Sequence, residues 1–220
     1  VGSPSMVGLV KNVSPNLMVS SSVYNDADSL SRIKEWVGMG TDEMTLHYSY
    51  NRNFGKLEQV LRTFPGTDFR LIANNVCLHE CPYRTNHACS LAHASQSKHS
   101  SGGFFLDYYY LSCGHEKMQN PVKLITADWI RPEDVHYYEE LCDKIGVLNL
   151  TLKLTERTRP TAWILNVAEA YSKKRYDGNL FDILNYIGNQ ELQQVRKTSF
   201  VKAALLGKSD PKAMREYQKA

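Results

Sequence analysis

The run Asn74-Asn75-Val76-Cys77-Leu78-His79-Glu80-Cys81-Pro82-Tyr83-Arg84-Thr85-Asn86-His87-Ala88-Cys89 places three thiols within thirteen residues, and Cys113 follows after a tyrosine-rich link. Four of the five cysteines and five of the seven histidines fall between positions 77 and 115, a concentration that points to chemistry rather than packing. Thiolates are soft, anionic ligands suited to iron–sulfur clusters and to zinc, and irregular backbone lets several of them converge on one centre. The spacings of three, seven and twenty-three intervening residues match neither the ferredoxin pattern nor the paired Cys-x-x-Cys of a zinc ribbon, so spacing alone leaves the metal open. Cys77, Cys81 and Cys113 are the leading ligands, with Cys89 or His87 as the fourth. Cys142 sits on the apolar side of a helical pattern and reads as a small packed hydrophobe.

A second set of residues falls at or just beyond the ends of the strands that the pattern predicts. Ser20, Ser22, His47, Asn51, Arg52, Asn74, Arg84, Asp128, Arg131, Lys153 and Arg157 would surround the mouth of a parallel barrel, where barrel enzymes place their active sites. Of these, His47, Arg52, Asn74, Arg84, Arg131, Lys153 and Arg157 are the candidate substrate-binding groups. Several cations there suit a small carboxylate-bearing molecule, because Arg takes a carboxylate through paired, charge-assisted hydrogen bonds. Salt bridges to Glu133, Asp134 and Glu156 would occupy the same cations without any ligand.

The elements that must position these groups alternate along the chain. Pro4 to Asn12 reads as a helix, with Ser3 as its N-cap and Pro4 at its first position. Strands are predicted at Leu17–Val23, Met44–Tyr48, Phe69–Asn75, Val122–Thr126 and Leu148–Leu154. Helices are expected from Leu30 to Val37, from Leu57 to Phe64, from Pro132 to Gly146, from Thr161 to Tyr171 and from Asn179 to Tyr186. A long irregular insertion fills 76–120, and a Lys-, Gln- and Arg-rich helical tail occupies 188–220. Strands separated by helices predict an α/β fold with a parallel sheet and right-handed crossovers. A TIM-type (β/α) barrel domain over 1–187 fits best. An eight-stranded barrel takes about 250 residues, and Val1 is not an initiator methionine, so we expect the barrel's amino-terminal strands to precede this sequence.

Composition excludes several classes. With 26 basic against 23 acidic side chains the chain is mildly basic and has no polybasic run, so nucleic-acid binding is not indicated. No apolar stretch is long enough to span a bilayer and no signal peptide is evident, which reads as a cytoplasmic protein with reduced thiols. Gly-x-Gly-x-x-Gly, Gly-x-x-x-x-Gly-Lys, His-Glu-x-x-His and Gly-x-Ser-x-Gly are all absent from the sequence, leaving dinucleotide, nucleoside-triphosphate and conventional hydrolase chemistry without support.

Five stretches, in order over about residues 1 to 187, resemble the collagenase-like peptidase family U-thirty-two. They are Pro15 to Ser22, Asn51-Arg52-Asn53, Asn75-Val76-Cys77 through Cys81-Pro82-Tyr83-Arg84 and His87, Ile130-Arg131-Pro132-Glu133-Asp134, and Tyr176-Asp177-Gly178-Asn179-Leu180. The resemblance implies a TIM-type barrel and a 4Fe-4S cluster with four Cys ligands, here Cys77, Cys81 and Cys113 by their place in the motif, with Cys89 completing the count. It also implies oxygen-independent hydroxylation, in ubiquinone synthesis or on RNA, with prephenate implicated as the oxygen source. An electron-transfer partner and a hetero-oligomer with a related barrel subunit belong to the same expectation. The thiol spacing differs from that of the hydroxylating members. Two other functions compete: a metal-dependent peptidase using His79 or Glu80 as base, and a non-catalytic subunit whose thiolate site, with zinc for instance, only staples a long loop.

Overall fold

A computed structural model describes residues 1–94, 108–156 and 159–184. It comprises two compact units, Val1–Pro82 with Thr126–Leu184, and a second that includes Tyr83–Ile125. The first unit holds α1 (Pro4–Val13), β1 (Ser20–Ser21), α2 (Leu30–Gly38), β2 (Glu43–Thr45), α3 (Phe54–Thr63) and β3 (Asp68–Ile72). The second holds α4 (Arg84–Ala94), α5 (Tyr108–Gln119) and α6 (Val122–Ile125); the chain then returns to the first unit for α7 (Val135–Ile145), β4 (Leu150–Lys153), α8 (Thr161–Lys173) and α9 (Phe181–Leu184).

The four strands form one parallel sheet in the order β1-β2-β3-β4. Parallel pairing puts every strand's carboxyl end on the same edge of the sheet, and that edge carries the candidate site. Residues in register share a face. Ser21, Met44, Phe69 and Leu150 align across the sheet, with Met44 and Phe69 fully buried, while Thr45, Arg70 and Thr151 align on the opposite face. Three of the helices bury an apolar stripe: Ile33 and Trp36 of α2, Leu57, Val60 and Leu61 of α3, and Val135, Tyr138 and Leu141 of α7 are all buried at helical spacing. On the other face Glu43 accepts a hydrogen bond from the Ser20 hydroxyl and pairs with Arg70.

Local chemistry explains the boundaries. Pro4 occupies the first turn of α1 and Ser3 its N-cap, as expected. α2 is capped by Ser29, whose hydroxyl accepts from Arg32 N–H, three residues after Asp26 turns left-handed at φ 52°. Asn53 caps α3 by accepting from Lys56 N–H, and α7 ends on Gly146 in the left-handed conformation that glycine takes without strain.

Two expectations are corrected here. Val122–Thr126 is not a strand: Val122–Ile125 is the helix α6, started by Asn120 and Pro121, whose carbonyls accept from Lys123 and Leu124 N–H. Its β-branched residues misled because Val122 is 62 % exposed and only Leu124 is buried, a helical rather than an alternating pattern. The insertion also holds two helices where an irregular segment was expected, α4 and α5, and neither has an apolar stripe to announce it. With that strand removed, the described sheet is four-stranded and parallel, consistent with a TIM-like fold without confirming a barrel. The proposed tail at 188–220 lies outside the described residues. No helix among the described residues is long and apolar enough to cross a membrane.

At the opposite, amino-terminal edge of the sheet, Lys11 Nζ (2.7 Å) and the backbone N–H of Val19 (2.6 Å) both donate to the Asp42 carboxylate. The Lys11 bond first, then the Val19 bond, hold Asp42 below the ordinary carboxylate range. A depressed folded value means stabilisation present above the unfolded value of about 3.9 and lost as the pH falls through the folded one. The Asp42→Asn variant should therefore be less stable than the parent at neutral pH, and the gap in thermal midpoint should close on acidification below about pH 4.

Candidate functional site

The carboxyl edge of the sheet is built from the segments that leave β2, β3 and β4. Main-chain pairing continues one residue beyond the strands, with Leu46 N–H donating to the Arg70 carbonyl and Ala73 N–H to that of Lys153. Beyond that point side chains hold the loops. Asn74, nearly buried, accepts from both the N–H (2.8 Å) and the hydroxyl (3.0 Å) of Thr155, joining the β3 and β4 exits. Asn51, only 1 % exposed, donates from Nδ2 to the carbonyls of Ile72 (2.8 Å) and Asp128 (3.0 Å), and its own carbonyl accepts from the Tyr138 hydroxyl.

The segment Ala127–Ile130 runs beside the β3 exit. Ile130 N–H donates to the Ala73 carbonyl (2.8 Å) and Asp128 N–H to that of Cys77 (3.3 Å). Trp129 and Ala127 are buried with Leu184, against Val76 and Leu180. The thiol-bearing turn grows out of this frame: Cys77 N–H donates to the Asn75 side chain (3.2 Å), and Cys81 N–H closes back on the Leu78 carbonyl (3.3 Å). Glu80, within the turn, is left-handed at φ 48°, which a non-glycine residue adopts at a cost of roughly 1 kcal/mol. At its centre His79 Nδ1 lies 2.6 Å from Asp128 Oδ1; the carboxylate is buried while the imidazole is more than half exposed.

Cys77 and Cys81 are not in disulfides, and each is partly covered. The Tyr24 hydroxyl titrates above its ordinary value, first through burial and then because the Cys77 thiolate opposes a phenolate. Cys89 and Cys113 are carried by α4 and α5 of the second unit and are likewise not in disulfides. Among the described residues no group of three or more His, Cys, Asp or Glu side chains is set to hold a metal ion. The donor chemistry nonetheless fits a thiolate-bound group in type, since two partly exposed cysteines outside any disulfide leave one pinned turn with three residues between them.

Two of the sequence-predicted cations are engaged within the chain. Arg52 Nε donates to the Trp129 carbonyl (3.2 Å) and Arg131 pairs with Glu133 (3.4 Å). His47 Nδ1 accepts from Ser49 N–H (3.2 Å) and so caps the short turn Tyr48–Tyr50, a structural role for a residue expected to bind substrate. Asn74 is likewise committed to Thr155. Lys153 closes β4, Arg84 opens α4 in the second unit, and Arg157 lies outside the described residues. Sequence reasoning placed Asp128 at the strand ends but did not join it to His79, forty-nine residues away. Tyr138 went unnoticed, since an i, i+3 position in an amphipathic helix says nothing about where a hydroxyl ends.

Cys142 behaves as expected of a packed thiol. It lies half-buried on α7, and burial first, then the neighbouring Asp143 and Glu139, push its thiol up. It should alkylate more slowly at neutral pH than an unperturbed cysteine, and Cys142→Ala should leave any bound metal in place, as metal analysis of the variant would show.

Fold and site thus define a parallel α/β protein with a cysteine-bearing turn at the carboxyl edge of its sheet. The chain is 31 % identical over 182 residues to a protein of the archaeon Methanocaldococcus jannaschii named as an uncharacterized protease, a match covering 83 % of this chain and 51 % of that protein. It therefore spans about half the length of this relative, and the match is consistent with the peptidase family U-thirty-two that the sequence resembles. No family model and no solved structure matches the chain.

Proposed function

We propose that the chain belongs to an iron–sulfur-dependent oxidoreductase of the U-thirty-two type, acting in the cytoplasm by oxygen-independent hydroxylation of an aromatic, quinone-precursor or RNA substrate. In this reading the sheet is part of a TIM-type barrel, and Cys77, Cys81, Cys89 and Cys113 hold a 4Fe-4S cluster. One observation carries it: the two first thiols follow the carboxyl end of β3 in a turn closed locally by Asn75 and tied to Asp128, which Asn51 links to the end of β3, at the edge where parallel α/β proteins do their chemistry. The cluster, when bound, would supply one-electron redox chemistry. The chain's own groups do the rest: Asn51, Asn74 and Asp128 fix the loops, and Arg84, Arg131, Lys153 and Arg157 supply positive charge for a carboxylate-bearing substrate or oxygen donor.

Anaerobic purification followed by iron and acid-labile sulfide analysis tests the reading. Brown protein with iron and sulfide in matching amounts is expected. Colourless protein holding stoichiometric zinc and cleaving gelatin only when metal is present would replace it with a metal-dependent peptidase, in keeping with the relative's name. A redox-inert metal with no binding of small acids would replace it with a structural thiolate site.

A further inference from the structure

We infer that Asp128 is the positioning residue of the thiolate turn, acting through His79; this rests on the ligand assignment proposed above. Asp128 is 3 % exposed, and a carboxylate buried that deeply is costly unless hydrogen bonds replace its lost water. It holds the turn at two points. Its N–H donates to the Cys77 carbonyl (3.3 Å), and its carboxylate takes His79 Nδ1 (2.6 Å), the residue midway between Cys77 and Cys81. A carboxylate only accepts, so Nδ1 is the donor.

Asp128 is itself immobilised. Its carbonyl accepts from the buried Asn51 amide (3.0 Å), which also grips the last residue of β3, and Ile130 just beyond pairs with Ala73. The path from sheet to thiols therefore runs from Ile72 through Asn51 and Asp128 to His79, with Cys77 and Cys81 on either side. The left-handed Glu80 fits a turn held in one shape against its local preference. Outer carboxylate partners of this kind fix the direction of groups around a metal, and their loss typically weakens metal binding by roughly 10- to 100-fold.

The test uses the full chain prepared anaerobically, with the rate of iron loss to a chelator, the cluster's midpoint potential and its electron paramagnetic resonance line shape as readouts. Asp128→Asn and His79→Ala should each speed iron loss by roughly 10- to 100-fold and shift the potential in the same direction, and the double variant should do no more than either alone. His79→Asn, whose amide can donate from near the Nδ1 position, should restore most of the retention. Leu57→Ala, a core change in α3, should lower the thermal midpoint without altering line shape or potential. His79 is exposed enough for its variants to fold even where Asp128→Asn does not. Wild-type retention and potential in His79→Ala would overturn the inference. If the parent chain contains no iron or sulfide, the proposed function falls, and the inference is read instead from alkylation of the metal-free protein. Faster labelling of Cys77 and Cys81 in His79→Ala supports it there, and equal rates overturn it.

Discussion

Replacing Cys77 with alanine should leave anaerobically purified protein colourless and stripped of iron and acid-labile sulfide. Cys77 is the first thiol beyond β3, and its backbone is fixed at both ends, by Asn75 at the N–H and by Asp128 at the carbonyl. A sulfur on so constrained a backbone has no neighbouring thiol that can slide into its place, since Cys81 is itself required and Cys142 lies on α7. Cys81→Ala should give the same loss. A Cys77→Ala protein that kept full iron and sulfide would remove Cys77 from the ligand set and with it the significance of the turn. Visible absorption and metal analysis decide the matter together, because colour alone does not distinguish a depleted site from an oxidised one.

The largest effect on stability is expected at Asn51. Its amide serves two buried carbonyls, those of Ile72 and Asp128, and alanine would take that donor from both. Taking about 1–2 kcal/mol for each buried carbonyl that loses this donor, Asn51→Ala should cost roughly 2–4 kcal/mol. The bond from the Tyr138 hydroxyl goes to the Asn51 main chain and survives the substitution, so the loss reports on the amide alone. For a chain of this size that corresponds to a fall in thermal midpoint of roughly 5–15 °C. A change under about 0.5 kcal/mol, the range of ordinary surface substitutions, would show that water or a rearranged donor satisfies those carbonyls.

Much of the frame was legible because period and punctuation agree. Leu57, Val60 and Leu61 recur at helical spacing and are buried; Phe69 and Leu71 alternate with exposed or half-exposed neighbours and sit in the core; Gly146 stops α7 where a left-handed residue is needed. The same signals failed at Val122–Ile125, where β-branched residues imitate a strand while Asn120 and Pro121 start a helix. They also failed at α4 and α5, which carry no apolar stripe. The candidate site was legible by residue type and place, as cysteines and polar groups beyond strand ends. Its wiring was not. Nothing local marks His47 as a cap for the next turn, Asn74 as a clamp on Thr155, or Asp128 as the partner of His79, because each bond depends on which loops the sheet brings side by side.

The resemblance in the sequence and the archaeal relative concern the family, whereas the cluster is a claim about four particular thiols. It is tested most directly by electron paramagnetic resonance of the anaerobically purified chain before and after reduction, with iron and sulfide measured on the same sample. A signal that appears on reduction, tracks the iron content and disappears in Cys77→Ala is the expected result. A silent, colourless sample carrying stoichiometric zinc, or no metal at all, would contradict it.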